Sequence, residues 1–258
     1  MDTACAGKPT VEQMCAFTSL VYGVFFCEIV EMKKELTLNA KTPCRDGLEE
    51  ISKSGKIAML EDCELSELNL SGIDLSGWHF VRCRLTRTTL NGANLDESSF
   101  TACRAAGASF GGSNLQEATI EGGDFSNTNF RGATLTHTKV INCKLTGSDF
   151  TDARTLGISI ENVLLVLAIL PRLSFRKMTL KDVDFSEADL RACDFRDTVF
   201  ENCSLRDAHL PECRFEGADL RNADLGGIKL TNAQLFKGAL ISKRQAADLL
   251  SQLGLKVL

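Results

Sequence analysis

A large apolar residue stands at every fifth position for most of this chain, and few folds can use such a period. Of the thirty-seven positions divisible by five from 60 to 240, twenty-one are Leu and eleven are Phe, and only Ala105, Ile120, Val140, Thr155 and Ile160 depart. The position two before each is small: of thirty-six from 63 to 238, twenty-nine are Ala, Cys, Thr, Ser, Gly or Val. A helix repeats every 3.6 residues and a strand every 2, so neither distributes large and small residues in this way. A chain that turns a corner every five residues does. Four such sides close a coil of twenty, with the large and the small residue of each side pointing inward and the other three facing water.

Stacked at roughly 4.8 Å, about nine coils make a rod on the order of 45 Å long. The expected fold is all-β: a right-handed quadrilateral parallel β-helix, in which each coil touches only its neighbours, with a short C-terminal capping helix. Three segments follow. Residues 1–59 are an N-terminal extension or cap, 60–240 the repeat, irregular at 155–178, and 241–258 a C-terminal helix that caps or dimerises.

Composition adds limits. Fifteen Phe beside one Trp and one Tyr fit a single structural slot filled many times. A net charge of -5 lacks the basic excess that nucleic acid or an anionic membrane selects, so direct binding to either is not expected. Eleven cysteines, an odd number, point to a reducing compartment, the cytoplasm. The apolar run from Met14 to Val30 contains Thr18, Ser19 and Glu28 and lacks a basic leader, so it reads as a buried helix or strand pair. Met32, followed by Lys33, Lys34 and the alternating Leu36-Thr37-Leu38, is a second position at which the chain could start.

Seven cysteines occupy the small inward slot: Cys63, Cys83, Cys103, Cys143, Cys193, Cys203 and Cys213. Five of them, Cys63, Cys83, Cys103, Cys143 and Cys203, are separated by multiples of twenty and share one column. A thiol is a small hydrophobe that fits where Ala fits, and there is no CxxC pair, so core filling is preferred to a metal or redox ladder. His79, His137 and His209 fall at dissimilar places in the repeat with no consistent nucleophile beside them. No catalytic residue, metal or cofactor is expected. The many Asp and Asn that precede the central Leu or Phe suit a corner where a short polar side chain bonds nearby backbone.

Ala93-Asn94-Leu95, Ala188-Asp189-Leu190, Ala218-Asp219-Leu220 and Ala223-Asp224-Leu225 resemble the A(D/N)LxX signature of pentapeptide-repeat proteins. The string from Gln245-Ala246 to Leu253-Gly254-Leu255, and Leu156-Gly157-Ile158 with Ile160, resemble segments of the Qnr-type and MfpA-like members. Such members occupy the DNA-binding surface of type II topoisomerases, DNA gyrase and topoisomerase IV, as DNA mimics and lessen quinolone poisoning. The resemblance therefore implies a non-enzymatic, antibiotic-resistance role with a topoisomerase as partner, and a homodimer formed through the C-terminus. The candidate cap or dimer residues are Ala246, Leu249, Leu250, Leu253 and Leu255, on a helix that Ser242 can cap and Gly254 can stop. Qnr-type proteins often carry loops that interrupt the repeat; here the phase never shifts, which is closer to the MfpA-like pattern.

DNA mimicry makes a demand on charge. Residues 60–240 hold 25 acidic and 19 basic side chains, against roughly 25 phosphates on duplex DNA of that length. The side that carries Leu60 is the best candidate face, with Glu61, Asp62, Glu121, Glu161, Asp182 and Glu201, although Arg82, Lys139, Lys181 and Arg221 interrupt it.

From Thr155 to Met178 the phase of five persists, but the small slot holds Ile158, Val163, Leu173 and Met178, while Leu164, Val166, Leu167 and Ile169 are apolar at outward places. Either a short helix or inserted segment ended by Pro171 replaces part of the coil, the preferred reading, or an apolar patch is exposed there for a partner of a scaffold or effector.

Overall fold

The five-residue rule becomes geometry across residues 36–256, the part of the chain that the computed structural model describes; the run from Met14 to Val30 and the start at Met32 lie outside it. Nine strands stack in chain order as one parallel sheet. They are β1 (Leu36–Asn39), β2 (Ala58–Glu61), β3 (His79–Val81), β4 (Ser99–Arg104), β5 (Thr119–Asp124), β6 (Lys139–Ile141), β7 (Ser159–Leu164), β8 (Thr179–Asp184) and β9 (Val199–Glu201). From β2 onward each step is one full coil: Leu60 faces Phe80, Phe80 faces Phe100, and Phe100 faces Ile120. Side 1 carries these strands. Sides 2, 3 and 4 carry Leu65, Leu70 and Leu75 and are joined by parallel bridges at the same spacing, such as Glu64 to Arg84, Asn69 to Thr89 and Asp74 to Asn94.

Each corner lies two residues past the central Leu or Phe, in left-handed backbone: Asp62 (φ 52°), Glu67 (φ 63°) and Arg82 (φ 53°) are typical. A side chain disfavours that conformation, so something must hold it. The corner N–H donates to the next coil, as from Glu67 to the Thr86 carbonyl at 3.0 Å. The residue before the centre adds a second restraint, because an Asp or Asn there accepts from the N–H two places on. Ser76 donates to Asp74 at 3.1 Å, Ser126 to Asp124 at 2.9 Å and Thr151 to Asp149 at 2.8 Å. This is the corner role expected of these residues.

Inside, the central residues form columns. Phe110, Phe130 and Phe150 stack at 5.2 and 4.9 Å, and Phe175, Phe195 and Phe215 at 5.1 and 5.0 Å. The small-slot residues do more than leave room. At most slots that hold Cys, Thr or Ser, the side chain reaches back to the preceding coil and donates to a backbone carbonyl twenty-three residues earlier: Cys103 to Phe80 at 3.3 Å, Thr138 to Leu115 at 2.7 Å, Cys193 to Leu170 at 3.0 Å and Thr198 to Phe175 at 2.7 Å, whereas Ser98 and Ser113 donate within their own coil to Leu95 and Phe110. Among the described residues eleven such bonds rivet coil to coil, and six come from thiols. Burial pushes Cys143 and Cys203 up to about 11 and Cys213 up to about 12, so these thiols keep the proton they donate. The slot cysteines thus act as Thr does, a role beyond the core filling read from their size.

Both ends of the rod are closed. Helix α1 (Arg45–Lys53) buries Leu48, and its Arg45 and Ser52 donate to the Asn69 and Asp74 carbonyls of the first full coil. At the other end the period in the sequence outlasts the coil. Leu230–Phe236 is a 3-10 helix, and Leu240 bridges Asp219 twenty-one residues earlier, one residue out of phase. Each coil donates forward, so the last has no carbonyls ahead of it and the chain folds over the opening instead. Helix α2 (Lys243–Ser251) follows with the Ser242–Gln245 capping box. The Gln245 amide also donates to the Leu220 and Ala223 carbonyls at 2.7 and 2.8 Å, which ties α2 to the open rim.

The region 155–178 contains no helix or inserted segment; the coil continues through β7, and Pro171 sits at a corner within it. The preferred expectation is thereby overturned. A coil tolerates Pro171 because that position bears no ladder donor: the next coil receives its bond from Arg172. No helix among the described residues is long and apolar enough to cross a membrane.

Candidate interaction surface

The strand register puts Glu61, Glu121, Glu161 and Glu201 in one vertical column of side 1, with Val81, Thr101, Ile141 and Lys181 between them. Asp62 and Asp182 stand beside that column at corners. Two of the bases that interrupt the face in sequence, Arg82 and Lys181, neutralise part of it in space. Arg82 pairs with Glu61 at 2.6 Å and with Asp62 at 2.8 Å, and Lys181 with Glu161 at 3.0 Å. The bond from Arg82 holds the Asp62 carboxyl below the usual range. Asp182 accepts from Asn202 at 2.6 Å. Among the described residues, Glu121, Asp182 and Glu201 make no ion pair. Side 1 is a mixed face with three carboxylates outside ion pairs, not a continuous acidic stripe.

A second surface wraps the coil that follows Phe150. Leu164, Leu167 and Ile169 are exposed, and Leu167 is 54% accessible. Val166 is half-buried beside them. Leu156, on side 4 of the same coil, is 76% accessible, the highest value among the exposed large hydrophobics. Their neighbours one coil away are polar: Lys144 and Asp184 flank Leu164, and Asp149 and Asp189 flank Ile169. One apolar band therefore crosses an otherwise polar rod.

The C-terminal residues divide. Leu249 packs against the core, and Ala246 and Leu250 are half-buried. Leu253 and Leu255 lie beyond α2, 61% and 53% exposed. A cleft of about 580 Å³ separates α2 from the last coil, with Arg206, Arg221, Arg244 and Asp248 on its walls. Two of its guanidinium groups are already engaged, Arg206 by Asp224 at 2.8 Å and Arg221 by Asp219 at 2.6 Å.

The comparisons with known proteins agree with this geometry. The family model described as a pentapeptide repeat region matches residues 57–125, and that for pentapeptide repeats (8 copies) matches 113–152, 168–197 and 198–235. Leu156, Leu164, Val166 and Leu167 of the apolar band lie in the interval left between 152 and 168. Among solved structures, HetL, a pentapeptide repeat protein involved in heterocyst differentiation regulation from the cyanobacterium Nostoc, is 20% identical with a TM-score of 0.58, over 74% of this chain and 87% of that one. A trypsin-treated form of QnrB1, a plasmid-mediated fluoroquinolone resistance protein, is 21% identical with a TM-score of 0.57, over 87% of this chain and 98% of that one. Full-length QnrB1 gives 20% and 0.56. No curated protein matches the chain. With its repeat matched by the family models over most of its length and its coils stacked as theirs are, the chain belongs to the pentapeptide-repeat family.

Proposed function

We propose that this protein is a non-enzymatic interaction rod that binds a type II topoisomerase, DNA gyrase or topoisomerase IV, in competition with DNA, and so lessens poisoning by quinolone-like drugs. The observation that carries the reading is the extent of the likeness to QnrB1, which spans 98% of that chain. Side 1 is the contact face in this reading, and its carboxylates outside ion pairs, Glu121, Asp182 and Glu201, take the place of phosphates. So few charges make electrostatic steering weak, and shape carries much of the recognition. The rod works as a homodimer through its C-terminus, where Leu253 and Leu255 are exposed.

A supercoiling assay with purified gyrase, with and without a quinolone, tests this. Inhibition or protection at micromolar protein, lost in Glu121→Lys/Glu201→Lys, is expected; neither effect at that concentration overturns it. Sedimentation of Leu253→Asp/Leu255→Asp tests the dimer, and a variant that remains dimeric moves the contact elsewhere. A second reading rests on the apolar band: a scaffold or effector that engages another protein through Leu164, Leu167 and Ile169. It predicts loss of partner binding in Leu167→Asp with the gyrase assay unchanged.

A further inference from the structure

On the coil before the apolar band, five backbone bonds close the wall from the end of side 3 to the start of side 1. Gly132, Leu135 and His137 donate forward to the carbonyls of Thr151, Arg154 and Leu156 at 2.9, 2.7 and 2.9 Å, and Arg154 and Ser159 donate back to Ala133 and Thr138 at 2.9 Å each. Two coils later the same five recur: Arg172, Phe175 and Lys177 donate to Arg191, Asp194 and Arg196 at 2.8, 2.8 and 3.0 Å, and Asp194 and Val199 to Leu173 and Met178 at 2.9 Å each. Between these steps all five are missing. The N–H groups of Asp152, Thr155, Gly157, Ser174 and Thr179 make no bond to the carbonyls of Pro171, Ser174, Arg176, Ala153 and Ile158. The bridge from residue 154 to 174 is absent as well, and the pairing of β7 with β8 begins only at Glu161 with Lys181. A slit thus runs through side 4 and into side 1, bounded by the Phe150–Ile169 bond at one end and the Glu161–Lys181 pair at the other. On sides 2 and 3 the wall is whole: Leu165 donates to Asp184 at 2.7 Å and Leu170 to Asp189 at 2.8 Å.

The sequence accounts for the slit. Slot side chains reach toward the preceding coil, so a large one needs space there. Leu68 and Ile73 fill slots of the first full coil, where α1 lies behind them in place of a coil. Leu173 and Met178 have a coil behind them, and the slit lies on that side of them. Every slot from Ala153 to Ala188 is apolar, so no rivet crosses this region. Nor does any Asp or Asn precede a central residue between Asp149 and Asp184, so the corners lack their second restraint. Thr155 interrupts the column between Leu135 and Phe175, and a void of about 10 Å³ lies among Thr155, Ile158, Ile160, Leu165, Leu173 and Phe175.

We propose that the slit is a hinge built into the rod: the coils up to Asp152 and those from Lys181 onward bend about the intact ladders of sides 2 and 3, opening and closing side 4. Packing resists such motion elsewhere; here neither rivet, corner bond nor ladder does. Hydrogen exchange of the full chain tests it. The amides of Thr155, Gly157, Ser174 and Thr179 should exchange about 100-fold faster than those of Leu135, His137, Arg154 and Ser159 one coil earlier; equal protection overturns the hinge. Bending is read from spin labels at Glu97→Cys and Glu216→Cys in a chain with Cys5, Cys15, Cys27 and Cys44 changed to Ser. Their distance distribution should be broader than that of Glu67→Cys with Lys139→Cys, which lie on one side of the slit. An equally narrow distribution overturns the proposal even if the amides exchange fast. Leu173→Ala/Met178→Thr gives these slots the residues their columns carry at Ala133, Thr138 and Thr198, and should slow exchange at Thr179 and narrow the distribution.

Discussion

The step from the coil of Leu135 to the coil of Thr155 and the step from Thr155 to Phe175 are separated by only twenty residues, yet one is closed and the other open. Both keep the period of five, both place apolar residues at the centre of every side except at Thr155, which they share, and both turn left-handed corners. They differ in what lies two residues before the centre and one residue before it. In the coil that reaches back, the closed step has Ala153 and Ile158 in its slots and Asp149 at the corner that leads into side 4, whereas the open one has Leu173 and Met178 with Ile169 at that corner. A central column of apolar residues is therefore sufficient to keep the coil turning. It does not by itself close the ladder, which also needs a small slot on side 4 and a polar restraint at the corner before it.

The largest effect that would sharpen this contrast is a cavity in a closed stack. Phe195 lies between Phe175 and Phe215, ring on ring, and is fully buried. Phe195→Ala should cost about 3–5 kcal/mol in chemical denaturation, because neighbouring coils held by ladder and rivets cannot collapse into the space. Leu173→Ala deletes a comparable buried side chain at the slit and should cost under about 2 kcal/mol, since coils that stand apart can drop together. Equal costs would mean that the open step is packed as tightly as the closed one.

How much of this was legible follows from the same residues. The fold was, because Leu or Phe at one phase in thirty-two of thirty-seven positions admits few geometries. The capping helix was legible from Ser242, Leu249 and Gly254. The apolar Leu164, Leu167 and Ile169 were visible, but whether they were covered was not, since an inserted helix satisfies the same hydropathy. The large slot residues were visible too; the slit they imply was not, because the pattern does not say that slots reach toward the preceding coil. Charge was the least legible feature. Arg82 lies twenty residues from Asp62, and only the register shows that the two meet. At the C-terminus Leu230, Leu235 and Leu240 keep the period while the backbone leaves it, because a period in side chains cannot report that no further coil is available to bond.

A smaller effect separates thiols as donors from thiols as filler. The Cys193 sulfur donates to the Leu170 carbonyl at 3.0 Å on the step just past the slit. Cys193→Ala should cost about 0.5–1.5 kcal/mol, while Cys193→Ser, which is smaller than the thiol but keeps a donor, should recover part of the loss. Were Ala as stable as the native residue and Ser worse, the thiol would be acting only as a hydrophobe. At Ala188, where no rivet exists, Ala188→Ser should show no such gain unless its hydroxyl finds the Leu165 carbonyl.

The smallest effect is on pH, and it bears on the corners alone. Asp194 is held below the usual carboxylate range by the Arg196 guanidinium; burial works against the charge of Asp149 and Asp189, but bonds from Thr151 and Arg131, and from Arg191, outweigh it. A carboxyl whose folded pKa lies below its unfolded value near 3.9 contributes stability that is fully present above about pH 5 and is lost as pH falls through the folded value. Acid should therefore loosen the closed steps, where these corners are, and leave the open one as it was. The measurement is residue-resolved exchange at pH 5 and at pH 3, corrected for the intrinsic rate. Protection should fall at Thr151, Arg191 and Arg196 and stay constant at Thr155 and Gly157, so that the two regions come to resemble one another. A fall of the same size at Thr155 and Gly157 would show that the slit is held by titrating groups after all, and that the contrast in corner residues does not explain it.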